Sequence, residues 1–436
     1  MLFRPHACRV ARRSVPCSAI ARRIARSVAV LVSLPRLVAA QSHDPAAAST
    51  AVPFRCMDTT ATITPARLDR RHLIYVEQET VVAQSDGRVL VAGSPVFVWR
   101  DDIDRHEMLK VDSLFGMVID SISTEVRAIP SPLPGRSFDG MRAAALPDGW
   151  WLVTFAEVDP TQMPKHPIVK RMWAGETDGT RWRELRMLPV VGDSLDSMKM
   201  SNLAWREGRA RLAVQYPRDG WTYGAMYSLD DGVWSARTEN LRLTNYIDFS
   251  LSGTHDLMAI VRPSEDGPSD VNSLYLFVKR PPDSVWTQKA WVVVGGDHAV
   301  QDPMFSGDSV RVLSWRRTSD DGAHWDVWFA TVNARGDSVG RIHHVGPGAI
   351  QTALASRGAH QVWAIHDRAR PTATMRVIEG DGSPALASKI AATDYAGLIG
   401  VAIARNRVVV VASRPSSDPR APDVISVIHS HTWRCP

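Results

Sequence analysis

Hydrophobic and polar positions along this 436-residue chain repeat one figure: a turn residue, then a short run rich in β-branched and aliphatic residues. The copies begin Gly87-Arg-Val-Leu-Val-Ala, Gly149-Trp-Trp-Leu-Val-Thr-Phe, Gly208-Arg-Ala-Arg-Leu-Ala-Val and His255-Asp-Leu-Met-Ala-Ile-Val. They continue with Gly307-Asp-Ser-Val-Arg-Val-Leu, Gly358-Ala-His-Gln-Val-Trp-Ala-Ile and Asn406-Arg-Val-Val-Val-Val-Ala. Successive copies lie 62, 59, 47, 52, 51 and 48 residues apart. A period of this size marks a repeat architecture in which each copy is one supersecondary unit. Within a unit the apolar runs number three or four and are strand-like, and no amphipathic helix intervenes. In the fourth unit they are Asn245–Ser250, Leu257–Val261, Ser273–Val278 and the run from Trp291.

A second landmark keeps step with the first. Asp178-Gly-Thr-Arg-Trp182, Asp230-Asp-Gly-Val-Trp234 and Pro282-Asp-Ser-Val-Trp286 place their tryptophans 52 residues apart, twice over. Gly336-Asp-Ser-Val-Gly340 and Gly380-Asp-Gly-Ser-Pro384 extend the series without the tryptophan. Asp-Gly and Asp-Ser pairs suit tight hairpins, because Gly accepts φ > 0 and Asp bonds nearby backbone. Four antiparallel strands per unit, repeated radially, describe the blade of a β-propeller, an arrangement that leaves only short, protected edges. The expected fold is therefore all-β, a propeller of seven four-stranded blades, with six as the alternative. The last unit has strands near 398–404, 408–413 and 424–433 and lacks a fourth. The free strand Leu73-Ile-Tyr-Val-Glu predicts that the N-terminal segment supplies it.

The first forty residues stand apart. They carry eight Arg and no acid, then the apolar run Ser27–Leu34, then Val38-Ala39-Ala40 ahead of Gln41. That order describes a secretory signal peptide over 1–40. Its apolar run is too short to span a bilayer, and Arg36 interrupts it. Arginine pairs at 12–13 and 22–23 leave the export route open. Segment 41–55 is small and polar and reads as a flexible lead-in, leaving 56–436 as one propeller domain, periplasmic or extracellular. The whole chain holds 51 Lys and Arg against 46 Asp and Glu, and the eight leader arginines account for the excess, leaving 43 against 46. The mature chain thus has no clustered positive field for nucleic acid. Of four cysteines, Cys8 and Cys17 leave with the leader. Cys56 and Cys435 remain at the two ends, and an oxidising compartment predicts that they pair; two free thiols are the alternative.

Thr318-Ser-Asp320-Asp-Gly322-Ala-His-Trp325 fits the Asp-box pattern, with His324 in place of its Thr, and shortened versions lie at Ser228–Trp234, with Asp230, and at Glu176–Trp182. The chain resembles the sialidase-like propellers that carry such repeats, over most of residues 140–412. The resemblance implies a turn whose Asp bonds backbone and whose Trp packs between strands. Met141-Arg142-Ala-Ala-Ala-Leu-Pro-Asp-Gly-Trp-Trp-Leu-Val-Thr-Phe-Ala-Glu157 is similar to the opening segment of sialidases, with Ala-Ala in place of Ile-Pro. It implies Arg142 as a carboxylate-holding arginine, a task suited to a guanidinium fork. It places Asp159 near the acid/base carboxylate and Tyr395, in Asp394-Tyr-Ala-Gly-Leu, where the family has its tyrosine nucleophile. The arginine expected after Phe-Ala-Glu is replaced by Val158-Asp159. Arg262 and Arg311 are the available candidates for the rest of the arginine set.

Other chemistry is sparse. His429 and His431 alternate on one strand and share a face, but no third ligand follows at metal-binding spacing. Asp101-Asp102-Ile-Asp104 lacks the Gly and distal Glu of a calcium loop. Phosphate loops, His-Glu-x-x-His and Cys-x-x-Cys are absent from the sequence. Neither a cofactor nor a metal is expected. Two functions fit: a non-catalytic monomer binding a glycan or protein through its top-face loops, or a sialidase-like hydrolase using Arg142, Asp159 and Tyr395. The incomplete arginine set favours binding.

Overall fold

The computed structural model describes strands between Met57 and Arg434 together with many of the turns that join them. Residues 1–56, 63–73, 96–115, 160–168, 191–198, 264–271, 294–299, 319–324, 368–373, 380–389, 416–424 and several shorter connections lie outside the described residues. Apart from a single-residue 3₁₀ assignment at Thr80, every regular element among the described residues is a strand.

Among the described residues the strands form seven four-stranded antiparallel sheets and one two-stranded ribbon. Sheet 1 is Val81–Ala83, Val89–Ala92, Gly116–Ile119 and Val126–Ile129. Sheet 2 is Ser137–Ala145, Trp151–Val158, Val169–Thr177 and Trp182–Met187. Sheet 3 is Lys199–Arg206, Arg209–Arg218, Trp221–Asp230 and Val233–Leu243. Sheet 4 is Ile247–Ser250, Asp256–Pro263, Asn272–Lys279 and Thr287–Val293. Sheet 5 is Val300–Ser306, Arg311–Thr318, Trp325–Val332 and His343–Gly346, and sheet 6 is Ala349–Arg357, His360–Asp367, Thr374–Glu379 and Ile390–Ala391. Sheet 7 takes Gly397–Ala404, Arg407–Pro415 and Ile425–Arg434 from the C-terminus and Met57–Thr62 from the N-terminus. First strands of consecutive sheets touch in a closed circuit, 1 to 2 and onward to 7, then 7 back to 1. The fold is an all-β propeller.

Each recurring turn-plus-apolar copy in the sequence leads into the second strand of a sheet. Second strands are packed on both faces, which is why they read as nearly continuous apolar runs. All eight residues of Trp151–Val158 are buried. Alternation then divides each strand between two cores. In sheet 1, Val89 and Val91 join Ala402, Ala404, Val409 and Val411 of sheet 7, while Leu90 and Ala92 join Phe138, Met141, Trp151 and Phe155 of sheet 2. The same division recurs in sheet 3, where Leu212 and Val214 pack toward sheet 2 and Ala213 toward Met258 and Ile260 of sheet 4. Leu257, Ala259 and Val261 then meet Leu313 and Trp315 of sheet 5. The hydrophobic core is thus a series of wedges between sheets. Burying a Trp or Phe in one of them is worth about 3–5 kcal/mol against Ala.

The turns follow local stereochemistry. Arg206 and Asp230 close two-residue hairpins onto Arg209 and Val233, with Glu207-Gly208 and Asp231-Gly232 all at positive φ, the signature of a type I′ turn. Gly179 and Gly336 have a second requirement. A Cβ on Gly179 would stand 2.5 Å from Val118 Cγ2 of sheet 1, and one on Gly336 would stand 2.5 Å from Val278 Cγ2 and clash with Leu257 of sheet 4. These third-to-fourth-strand turns seat their glycine in the preceding sheet.

Closure departs from one expectation. The N-terminal segment does complete sheet 7, but with Met57–Thr62 as its outermost strand. From the Leu73–Glu77 run, Ile74–Tyr75 pairs instead with Ser94–Pro95 in the separate ribbon. Outermost positions need only one pairing edge, so the polar segment Met-Asp-Thr-Thr-Ala-Thr suffices there. Cys56 and Cys435 lie outside the described residues; their neighbours Met57 and Arg434 are register partners.

Candidate functional site

The sheets share two ends. At the hairpin end, strand 1 turns into strand 2 and strand 3 into strand 4. At the crossover end, strand 2 connects to strand 3 and each sheet connects to the next. Ligand sites of radial sheets are assembled from such ends, because the strands hold the loops rigidly.

At the crossover end of sheet 2, Glu157 is buried and fixed from two sides. Arg136 Nη1 donates to its Oε1 at 3.1 Å, and Trp173 Nε1 donates to its Oε2 at 3.1 Å. Asp159, two residues on, pairs with Lys170 Nζ at 2.9 Å. Both carboxylates therefore sit at one strand end, each compensated by a cation, and Arg136 remains largely exposed.

Arg142 lies on the first strand of sheet 2 and is buried, 6% exposed. Its Nη1 donates to Met141 O at 2.6 Å and its Nη2 to Met200 O at 2.5 Å. It bridges the first strands of sheets 2 and 3. Asp248 does similar work further round: it accepts from Asn202 Nδ2 of sheet 3, from Phe249 N at 2.6 Å and from Phe305 N of sheet 5 at 2.5 Å. One buried carboxylate thus links three consecutive first strands.

Arg311 starts the second strand of sheet 5, at the hairpin end, and donates to His255 O of sheet 4 at 2.8 Å. Burial lowers its pKa to about 10, with Asp256 opposing and Arg206 adding to the fall. It therefore does not lie at the strand end that carries Glu157 and Asp159. Arg262 pairs in register with Ser273 near the crossover end of sheet 4; its side chain lies outside the described residues, as do Tyr395 and the side chains of His429 and His431.

The turn residues are clearer. Asp178 Oδ1 accepts from Thr180 N at 2.8 Å, Thr180 Oγ1 at 2.7 Å and Arg181 N at 3.0 Å. Burial works against its ionised form, but these bonds prevail and hold its pKa below the usual carboxylate range. Trp182 donates to Pro130 O of sheet 1 at 2.7 Å and stands edge-on to Phe155. Asp230 pairs with Arg211 at 3.0 Å, and Trp234 packs on the wedge between sheets 2 and 3. Asp320 and Gly322 lie outside the described residues. Trp325 opens its strand opposite Thr318.

The hairpin end is fastened by arginines that no motif in the sequence marks. Arg88 donates to Gly149 O and Asp178 O of sheet 2, each at 2.8 Å. Arg209 grips Asp256 of sheet 4 with two bonds, 2.9 and 3.2 Å, and reaches Ser252 O at 2.6 Å. Their trace in the sequence is a Gly-Arg pair in two copies of the repeat, Gly87-Arg88 and Gly208-Arg209. Among the described residues no group of three His, Cys, Asp or Glu could hold a metal.

No protein-family model matches the chain, and no curated protein matches it. Solved structures of similar outline do exist. The GH93 alpha-L-arabinofuranosidase of Fusarium graminearum aligns over 68% of this chain and 93% of its own, at 10% identity and a TM-score of 0.45. Puromycin hydrolase aligns over 78% and 50%, at 12% identity and a TM-score of 0.49. A subtype N10 neuraminidase-like protein of A/little yellow-shouldered bat/Guatemala aligns over 72% and 97%, at 12% identity and a TM-score of 0.40.

Proposed function

We propose that the chain is an exported, non-catalytic propeller with one blade for each four-stranded sheet, which takes a glycan or protein ligand through its crossover-end loops. Residues 1–40 act as leader, 41–55 as lead-in, and the ring from 56 to 436 works as a monomer without cofactor. The observation that carries this reading is the position of Arg142. A guanidinium that is buried and donates to Met141 O and Met200 O serves the seam between two sheets, and a substrate carboxylate would have to compete with those carbonyls. Asp159 is likewise matched to Lys170. The register of Met57 with Arg434 supports a Cys56–Cys435 bridge, since each cysteine adjoins one of those partners in sequence.

The sialidase-like reading is favoured by one arrangement: Glu157 and Asp159 share a strand end, and Glu157 is oriented by two donors. Turnover of a fluorogenic sialoside decides between the two. Binding without catalysis predicts no turnover above the no-protein rate, and no difference between the native chain and Asp159→Asn. Turnover that Asp159→Asn abolishes, with an unchanged urea midpoint, would establish the hydrolase instead.

A further inference from the structure

The hairpin end of sheets 4 and 5 gathers three arginines, Arg280, Arg311 and Arg335, against one opposing carboxylate, Asp337. Lys279 ends the third strand of sheet 4 and Arg280 follows it, and His255 precedes the second strand. Arg280 Nε donates to His255 Nε2 at 3.1 Å, and Arg311 holds His255 O at 2.8 Å. The Asn333–Ser338 turn of sheet 5 reaches the same place. Gly336 is seated against Leu257 and Val278, which puts Arg335 beside the His255 turn.

One of the acids nearby is committed elsewhere, and the other, Asp337, offsets the arginines only in part. Asp256 is fully buried and held bidentate by Arg209, and Asp337 accepts from Asn333 Nδ2 at 2.6 Å. Among the described residues no carboxylate pairs with Arg280 or Arg335, and both are exposed. His255 Nδ1 is buried without a hydrogen-bond partner. Burial and then Arg280, Arg311 and Arg335 lower the pKa of His255, with Asp337 opposing them.

We propose that this corner binds a multivalent oxyanion, a phosphate or sulfate group, through Arg280 and Arg335 beside His255. Guanidinium forks pair with tetrahedral oxyanions through parallel charge-assisted bonds, which a halide cannot reproduce. The group could arrive as the free ion or as an ester on a sugar. The corner lies at the opposite end of the sheets from the strand ends that carry Glu157 and Asp159, so it stands independently of the functional reading above.

Isothermal titration of the full mature chain with sodium phosphate and sodium sulfate, against sodium chloride at equal ionic strength, tests it. Saturable binding of the oxyanions is expected, weakened about tenfold or more by Arg280→Gln and by Arg335→Gln, the loss of one charge-assisted pair. Arg181→Gln, an exposed arginine at the hairpin end of sheet 2, should bind like the native chain. A sugar sulfate or sugar phosphate binding more tightly than the free ion assigns the site to an ester; equal affinity assigns it to the ion. Absence of saturation, or equal binding by Arg280→Gln and Arg335→Gln, overturns the proposal. Both replaced side chains are exposed, so folding is not at stake.

Discussion

Replacing Gly336 by Ala isolates the most specific packing claim made by this fold. Two costs add at that position. Its φ of +67° lies in the left-handed region, where a Cβ costs about 1–2 kcal/mol. The new methyl would also meet Leu257 and Val278, which are 0% and 4% exposed and have nowhere to retreat; overpacking of this kind costs about 1–3 kcal/mol. The sum is about 2–5 kcal/mol. Gly232 is the internal control, because its φ is +77° yet a Cβ there meets nothing within 4 Å. Gly232→Ala should cost only the left-handed strain of about 1–2 kcal/mol. Equilibrium urea unfolding followed by tryptophan fluorescence measures both, and Gly336→Ala should fall below Gly232→Ala by about 1–3 kcal/mol at unchanged m-value. Gly179→Ala, which meets Val118 of sheet 1, should behave like Gly336→Ala. Equal midpoints for Gly336→Ala and Gly232→Ala would refute the idea that these turns plug the preceding sheet, leaving turn stereochemistry as the whole reason for the Asp-Gly landmark.

Other outcomes follow from the same contacts. Arg209→Met strands the buried Asp256 carboxylate and should cost about 3–5 kcal/mol, whereas the double change Arg209→Met with Asp256→Leu should recover much of that loss in urea titration. The lowered pKa of His255 means that the unfolded chain takes up a proton first as pH falls below the ordinary histidine value. Stability is therefore fully present above about pH 6.5 and declines as pH drops toward the folded-state value. A melting-temperature profile should fall less steeply between pH 6.5 and 5 for His255→Gln than for the native chain. A Cys56–Cys435 bridge would close nearly the whole domain and add about 5 kcal/mol by the chain-entropy account. Reductant should then lower the urea midpoint of the native chain and leave Cys56→Ser unchanged.

The sequence by itself determined the architecture, because its period is local and redundant. Each second strand is an apolar run announced by a turn residue, and each copy needs only its neighbours to bury both faces. Val89 to Ala92 reads as one hydrophobic stretch, yet its alternate residues enter two different wedges; pattern gives the strand, and only packing gives the two destinations. The last sheet was legible in three of its four strands. The fourth was not, since an outermost strand buries little and carries no hydrophobic signature, and the apolar Leu73–Glu77 run is the stronger strand pattern beside polar Met57–Thr62.

Tertiary structure alone decided what the charged residues do. Arg142, read in sequence as a carboxylate binder, donates to backbone carbonyls across a seam, and Arg209 is committed to an aspartate 47 positions away. Nor does any spacing announce that Arg280, Arg311 and Arg335 come together around His255, because they belong to two sheets and three separate segments. Hydrophobic periodicity encodes which faces are buried. Charge pairing depends on where strand ends meet once the ring has formed, and that is information no linear period contains.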